Sequence, residues 1–237
     1  HATVGEVRVK PKDLVFAACV LALFAPFFLF PAVLAAYKSV NVQHPLLMSY
    51  LKFAVLATLG ECLGLRIRTG CYNQPGFGIL PRAVVWGVLG LAIKAAFSIF
   101  TTGTPRFLVE LGVALPPDIL RQPLSGLKVL ASFSVSVAMN LVFAPVMMTL
   151  HKITDDHIGR TGGTLRGFFT PIAFGDILAT LNWPVMWHFV FKKTIPLFWI
   201  PAHTITFLLP PEYQIVFAAV LGIVLGVLLA VAARMKR

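Results

Sequence analysis

The feature that most constrains this chain is a series of apolar runs, each long enough to cross the hydrocarbon core of a membrane. A helix needs about 20 apolar residues for that crossing. The runs lie at residues 14–37, 46–65, 79–100, 127–150 and 213–233. Only 12% of the residues are charged, about half the share found in soluble domains. The sequence therefore predicts an all-α, polytopic transmembrane helical bundle, since a β-barrel would alternate apolar and polar residues.

An aromatic segment between residues 168 and 211 is harder to interpret because prolines interrupt it. These prolines are Pro171, Pro184, Pro196, Pro201, Pro210 and Pro211. Proline removes a backbone donor and disturbs a continuous helix. We expect a proline-broken sixth crossing here, with a re-entrant or interfacial helix as the alternative. The whole chain, 1–237, is predicted to be a single membrane domain.

The basic residues predict which side of the membrane holds the termini. With six crossings, one side collects twelve basic residues and the other side four. The richer set is Arg8, Lys10, Lys12, Arg66, Arg68, Arg82, Lys152, Arg160, Arg166, Arg234, Lys236 and Arg237, and the poorer set is Lys38, Arg106, Arg121 and Lys128. The positive-inside rule then places both termini in the cytoplasm. Because the loops are short, we do not expect the net charge of +11 to serve a nucleic-acid partner.

Charged residues inside two of the runs need a partner other than lipid. If 46–65 and 79–100 form an antiparallel hairpin, Glu61 lies level with Arg82, and Lys52 lies level with Lys94. Glu61 and Arg82 are therefore predicted to form an ion pair, which lowers the cost of both charges. The two lysines suit a hydrated path that holds anions, and snorkelling toward the nearer surface is the alternative.

Two pairs of glycines predict close helix packing. Gly60 and Gly64 lie four residues apart in one run, and Gly222 and Gly226 have the same spacing in the last run. Such GxxxG pairs let two helix backbones approach each other. Packing within the chain and formation of a homo-oligomer both remain open.

Other polar residues carry weaker signals. Asn140 lies in the middle of an apolar run, where it can bond a neighbouring helix or contact a solute. His151, Asp155, Asp156 and His157 have the chemistry of metal ligands, but we place them in a solvated loop beside the membrane. The sequence thus predicts no metal site, no cofactor and no disulfide framework.

Several of these residues follow a pattern that is known from one family. His44 and Pro45 precede Gly60-Glu61 at a spacing that resembles the first-helix signature of the Mpv-seventeen / peroxisomal-membrane-protein-twenty-two family, in which GD stands at that place. Arg82 followed by Gly87 is similar to the start of that family's second helix.

The segment "WIPAHTITFLLPP" extends the resemblance toward the end of the chain. Trp199, Phe207 and Pro211 match a family pattern in which Gln and Asn stand at the positions of His203 and Thr206. Trp199, His203 and Thr206 also share one helical face, as a polar pocket would require. The family's GP, WY and DQ elements are missing.

The resemblance covers roughly residues 44–233 and leaves 14–37 as an extra N-terminal transmembrane helix. It implies a distant, bacterial relative in the inner membrane, with the mitochondrial inner membrane as the alternative. It also implies a channel, although the solutes of the family are themselves unsettled.

Three classes of function follow. The first is a channel or pore for small, anionic solutes, with Lys52, Lys94, Asn140, Trp199, His203 and Thr206 as pore or solute candidates. The second is a non-transporting membrane subunit for assembly or stress. An enzyme acting on lipid or phosphate ranks last, because it would need a nucleophile and base or a metal site, and only the cluster at 151–157 comes near one. We expect the chain not to be an enzyme. The expected partners are the lipid bilayer and small solutes.

Overall fold

The computed structural model describes residues 10–235, and it describes residues 229–235 by their backbone alone. This part of the chain forms helices and no strand. Ten α-helices follow one another in it: α1 Pro11–Leu29, α2 Pro31–Gln43, α3 Pro45–Thr69, α4 Ile79–Glu110, α5 Gly126–Arg160, α6 Leu165–Phe168, α7 Phe174–Thr180, α8 Trp183–Val185, α9 Ile200–Leu208 and α10 Pro211–Met235. A 3-10 helix occupies Ile119–Arg121 and a π-helix occupies Met186–Trp199.

Five helices in the described range are long and apolar enough to cross a membrane. They are α1, α3, α4, α5 and the part of α10 at Pro211–Leu228. Helices satisfy all their backbone hydrogen bonds internally, as a chain in hydrocarbon must. The predicted class is confirmed: this is an all-α polytopic helical membrane protein.

The chain divides into two compact units, one up to Pro45 and the other from Leu46. The first unit corrects the prediction of a single helix over 14–37. The helix breaks at Phe30, whose backbone is extended, because Pro31 follows it. The resulting helices α1 and α2 pack through Phe27 and Tyr37, whose rings meet edge to face with centroids 5.3 Å apart.

In the second unit, α3 and α4 form the predicted antiparallel hairpin. The hydroxyl of Ser49 donates to the carbonyl oxygen of Gly90 at 2.8 Å. A methyl group added at Gly90 would lie 2.8 Å from Cβ of Phe53. The backbones approach this closely because α4 presents a glycine at the contact.

Three of the four GxxxG glycines lie in a contact between α3 and α10 within the chain. A Cβ on Gly60 would lie 2.9 Å from the side chain of Ile223, on α10. A Cβ on Gly64 would lie 3.7 Å from the carbonyl oxygen of Gly226. Gly222 has open space around it. Gly60, Gly64 and Gly226 therefore lie where α3 packs on α10, which are the first and last helices of the second unit.

The proline-rich segment contains one long helical run, at 183–208, which comprises α8, the π-helix and α9. Contrary to our expectation, the prolines at 184, 196 and 201 do not interrupt it, and it ends only at Leu208, before the extended Leu209 and Pro210. Pro184 lies in the first turn of the run, where no backbone donor is needed. Pro201 follows the π-helix directly, in the interior of the run. Pro196 lies inside the π-helix.

This run connects opposite ends of the second unit. Near the start of α4, Arg82 contacts Asp155, which is close to the end of α5. Pro211, at the start of α10, instead lines a cavity with Glu110 at the far end of α4. The chain after α5 must therefore return along the length of α4, and 183–208 is the helical run that does so.

Candidate functional site

A charged cluster occupies the end of the second unit where α4 begins. The guanidinium of Arg82 donates through Nη1 to Oε2 of Glu61, so the predicted ion pair is present. The same Nη1 donates to Oδ1 of Asp155 at 2.7 Å. Nε of Arg82 donates to the carbonyl oxygen of Phe77 at 2.7 Å. One arginine on α4 thus bridges a carboxylate on α3 and another on α5.

The second oxygen of Glu61 has partners of its own. The indole Nε1 of Trp86 donates to Oε1 of Glu61 at 2.7 Å, and Nε2 of His151 lies 3.2 Å from the same oxygen. Nδ1 of His151 lies 3.7 Å from Asp155. The side chains of Arg82, Glu61 and Asp155 are 14%, 19% and 20% exposed. Partial burial with several charge-assisted bonds makes this a strong link between three helices.

The placement of His151 and Asp155 corrects our prediction of a loop. Helix α5 continues to Arg160, so both residues lie on a helix and face the cluster. Asp156 turns away and pairs with Arg160 at 2.5 Å. His157 is buried, with Nε2 lying 3.0 Å from the carbonyl oxygen of Phe168.

Three side chains of the cluster have the chemistry of a metal site. Ligand atoms of Glu61, His151 and Asp155 lie within 4.8 Å of one another. The guanidinium of Arg82, however, already contacts both carboxylates. A cation would have to displace that arginine against charge repulsion, so the arrangement suits an ion-pair network better than a metal centre.

A cavity of about 560 Å³, called here the inner cavity, adjoins the cluster. Its lining comprises Ala57, Gly60, Glu61, Gly64, Leu65, Arg68, Gln74, Pro75, Gly76, Phe77, Arg82, Trp86, His151, Lys152, Asp155, Gly159, Gly222 and Gly226. Three of these residues are basic and two are acidic. A small anion entering this cavity would therefore meet an excess of positive charge.

A second cavity, of about 980 Å³, lies at the opposite end of α4 and is called the outer cavity. Its charged lining residues are Lys94, Arg106, Arg121, Glu110 and Asp118. It too has three basic and two acidic side chains.

One member of the predicted lysine pair, Lys94, lies at the outer cavity. Lys94 lines it, and Lys52 on α3 is 8% exposed. A Cβ on Gly90 would meet Ser49 and Phe53, which flank Lys52 in sequence, so Lys94 lies about one helical turn beyond the level of Lys52.

The two cavities approach each other along the same two helices. On α4, Trp86 lines the inner cavity and Lys94 the outer one, eight residues or about 12 Å apart. On α10, Ile215 lines the outer cavity and Gly222 the inner one, about 10 Å apart. Packed side chains of α3, α4 and α10 fill the intervening layer, including the buried Ala54, Ile93 and Ala219.

The remaining solute candidates lie where α5 packs on α9. Nδ2 of Asn140 is 3.1 Å from Nδ1 of His203, and the ring of His203 stacks on Trp199 with centroids 5.1 Å apart. Thr206 is fully buried, and its hydroxyl donates to the carbonyl oxygen of Ala202, on its own helix, at 3.0 Å. The structure thus joins Asn140, His203 and Trp199 in one cluster, while the Thr206 hydroxyl is satisfied locally.

Sequence reasoning missed three members of these sites. It gave Trp86 no role, placed Asp155 in a loop, and passed over Ser136, whose hydroxyl donates to the carbonyl oxygen of Ile200 at 2.7 Å. A signal for Ser136 was present, because it lies one helical turn before Asn140.

Comparisons with known proteins identify no relative: no family model, no curated protein and no solved structure matches the chain. The resemblance to the Mpv-seventeen / peroxisomal-membrane-protein-twenty-two family stays a prediction. A function has to be argued from the geometry of the two cavities and of the residues between them.

Proposed function

We propose that this protein is a membrane channel for small anionic solutes. The observation that carries the proposal is the pair of cavities at opposite ends of one helical unit. Both are lined by α4 and α10 and both have more basic than acidic side chains. Only about 10 to 12 Å of packed helix separates them. A path through this layer would join the two sides of the bundle.

Lys52 and Lys94 would set the selectivity of this path. Lys94 lines the outer cavity, and Lys52, on the neighbouring helix α3, is buried. Two ammonium groups about one helical turn apart create a positive potential, as rings of basic side chains do in anion-selective pores. A solute with a compact negative group, such as a phosphate, suits two point charges of this kind.

The membrane environment and the kinship are part of the same proposal. We place the protein in a bacterial inner membrane, with both termini in the cytoplasm and with 183–208 as the sixth crossing. The charge asymmetry of the sequence supports that orientation. We propose a distant membership of the Mpv-seventeen / peroxisomal-membrane-protein-twenty-two family, supported by the motifs around Gly60-Glu61 and Trp199.

The direct test is conductance of the purified protein in a planar bilayer under a salt gradient. We expect a reversal potential that indicates anion preference. Lys52→Gln and Lys94→Gln should each reduce the anion-to-cation permeability ratio by roughly fivefold, which corresponds to the loss of about 1 kcal/mol of attraction between unit charges at 4 Å in water. Lys193→Gln is the matched control, because Lys193 is exposed and lines neither cavity.

Two results would contradict the proposal. An unchanged permeability ratio in the Lys52→Gln/Lys94→Gln double variant, with conductance intact, would remove the lysines from the path. Folded protein without conductance or solute flux in liposomes would exclude a channel and favour the non-transporting subunit.

A further inference from the structure

A polar stripe runs along α5 inside the bundle. Ser132, Ser136 and Asn140 are spaced by one helical turn each, and all three are 0% exposed. They share the helix face that packs on α9, since Ser136 bonds the backbone of Ile200 and Asn140 contacts His203. An apolar face would pack here at less cost, because buried polar groups must find partners in a membrane interior.

Three polar atoms of this region are buried and have no hydrogen-bond partner among the described residues. They are Oγ of Ser132, Oδ1 of Asn140 and Nε1 of Trp199. The orientation of the Asn140 amide is fixed, because its Nδ2 donates to the carbonyl oxygen of Ser136 at 2.9 Å. The unpaired atom is therefore the oxygen. Asn140 and Trp199 both contact His203, and Ser132 lies two helical turns before Asn140 on the same face, about 12 Å along α5. A buried polar group without a partner is costly, so three of them along this face indicate a place built for a ligand with more than one polar group.

One ring separates this cluster from the outer cavity. Phe97 lines the cavity, and the same ring lies edge to face with His203 at 6.0 Å. It also packs on Phe207 at 4.9 Å. Lys94 lies one helical turn before Phe97 on α4 and lines the same cavity. A solute held at Lys94 would thus lie beside the ring that covers the polar cluster.

We propose that Ser132, Asn140 and Trp199 form a subsite for the hydroxyl groups of a solute whose anionic group is held at Lys94, with Phe97 as the side chain that moves to admit it. This subsite rests on the proposed channel function and names its substrate class. The solute would be a polyhydroxylated organic anion, such as a sugar phosphate.

The chemistry of the unpaired atoms selects the hydroxyl group. The Asn140 oxygen only accepts a hydrogen bond, the Trp199 indole only donates one, and the Ser132 hydroxyl does both. A ligand hydroxyl can donate to the first and accept from the second. A carboxylate lacks the donor, an ammonium lacks the acceptor, and either would be costly to bury here.

The test is calorimetric titration of the full-length protein in nanodiscs with glucose 6-phosphate, inorganic phosphate and glucose. We expect glucose 6-phosphate to bind more tightly than inorganic phosphate. Trp199→Phe keeps the aromatic ring and removes the N–H, and Ser132→Ala removes only a hydroxyl. Each should weaken glucose 6-phosphate binding by about three- to tenfold, the effect of one neutral hydrogen bond, and leave inorganic phosphate binding unchanged.

The controls separate this subsite from the channel itself. Trp187→Phe, at an exposed position of the π-helix, should change neither affinity. Lys94→Gln should weaken the binding of both glucose 6-phosphate and inorganic phosphate. Equal affinities for glucose 6-phosphate and inorganic phosphate, or no effect of Trp199→Phe and Ser132→Ala, would overturn the hydroxyl subsite and leave the anion path standing. Absence of binding for all three ligands, together with absence of conductance, would overturn both proposals.

Discussion

Replacement of Arg82 by glutamine tests the charged cluster most directly. Arg82→Gln leaves Glu61 and Asp155 without the guanidinium that bridges them. Breaking a fully buried pair costs about 3–5 kcal/mol, and a surface pair contributes about 0–1 kcal/mol. Side chains that are 14–20% exposed lie nearer the buried limit. We therefore expect Arg82→Gln to lower the free energy of unfolding by about 2–3 kcal/mol.

A double-mutant cycle isolates the pair itself. Glu61→Gln keeps an oxygen that can accept from Trp86 and removes the charge. The double variant should be about 1–2 kcal/mol more stable than the sum of the two single losses predicts, because it has no unpaired charge at the contact between positions 61 and 82. Recovery should stay incomplete, since Asp155 still loses its partner.

The measurement is equilibrium unfolding by SDS in mixed micelles, followed by tryptophan fluorescence. Asp156→Asn is the matched control, because Asp156 pairs with the exposed Arg160 on its own helix and with no other basic residue among those described. It should change the free energy of unfolding by less than about 0.5 kcal/mol. Strictly additive losses in the cycle would show that Glu61 and Arg82 are not coupled.

Further predictions concern packing and topology. Gly90→Ala should lower the free energy of unfolding by about 1–3 kcal/mol in the same assay, because the new methyl group meets Phe53 and the backbone of Ser49 at 2.8–2.9 Å. Gly103→Ala, on the same helix, has open space around it and should be neutral or slightly stabilising. Equal effects of the two substitutions would refute the contact at Gly90. A reporter fused after residue 237 should lie in the cytoplasm; a signal from the other side would mean that 183–208 does not cross.

The sequence was enough to predict the Glu61–Arg82 ion pair, because two general rules determine it. Charges in an apolar helix need partners, and antiparallel hairpin geometry then paired Glu61 with Arg82 across the turn. Sequence reasoning failed at Asp155 because the polar residues around it are typical of a loop. The helix continues there because its inward residues, His151 and Asp155, bind the cluster, and such contacts between distant residues cannot be read from local composition.

The proline-rich segment and the first helix show the same limit. Pro31 divides the predicted 14–37 helix, whereas Pro184, Pro196 and Pro201 leave 183–208 continuous. Whether a proline breaks a helix depends on its position in the helix and on how the backbone around it is hydrogen-bonded, and both depend on the surrounding structure. The partners of the GxxxG glycines likewise depend on the three-dimensional arrangement, since the spacing alone is compatible with packing inside the chain or between chains.

The contact between α3 and α10 also has a consequence for biogenesis. Gly60 on α3 contacts Ile223 on α10. Helix α3 is synthesised early, so its glycine face stays uncovered until α10 has been synthesised and inserted. Until then that face of α3 remains accessible to lipid, to a second nascent chain or to an insertion factor. A stop codon placed before α10 should therefore yield a chain that is inserted but recognised by membrane quality-control proteases, with a shorter cellular half-life than the full-length chain.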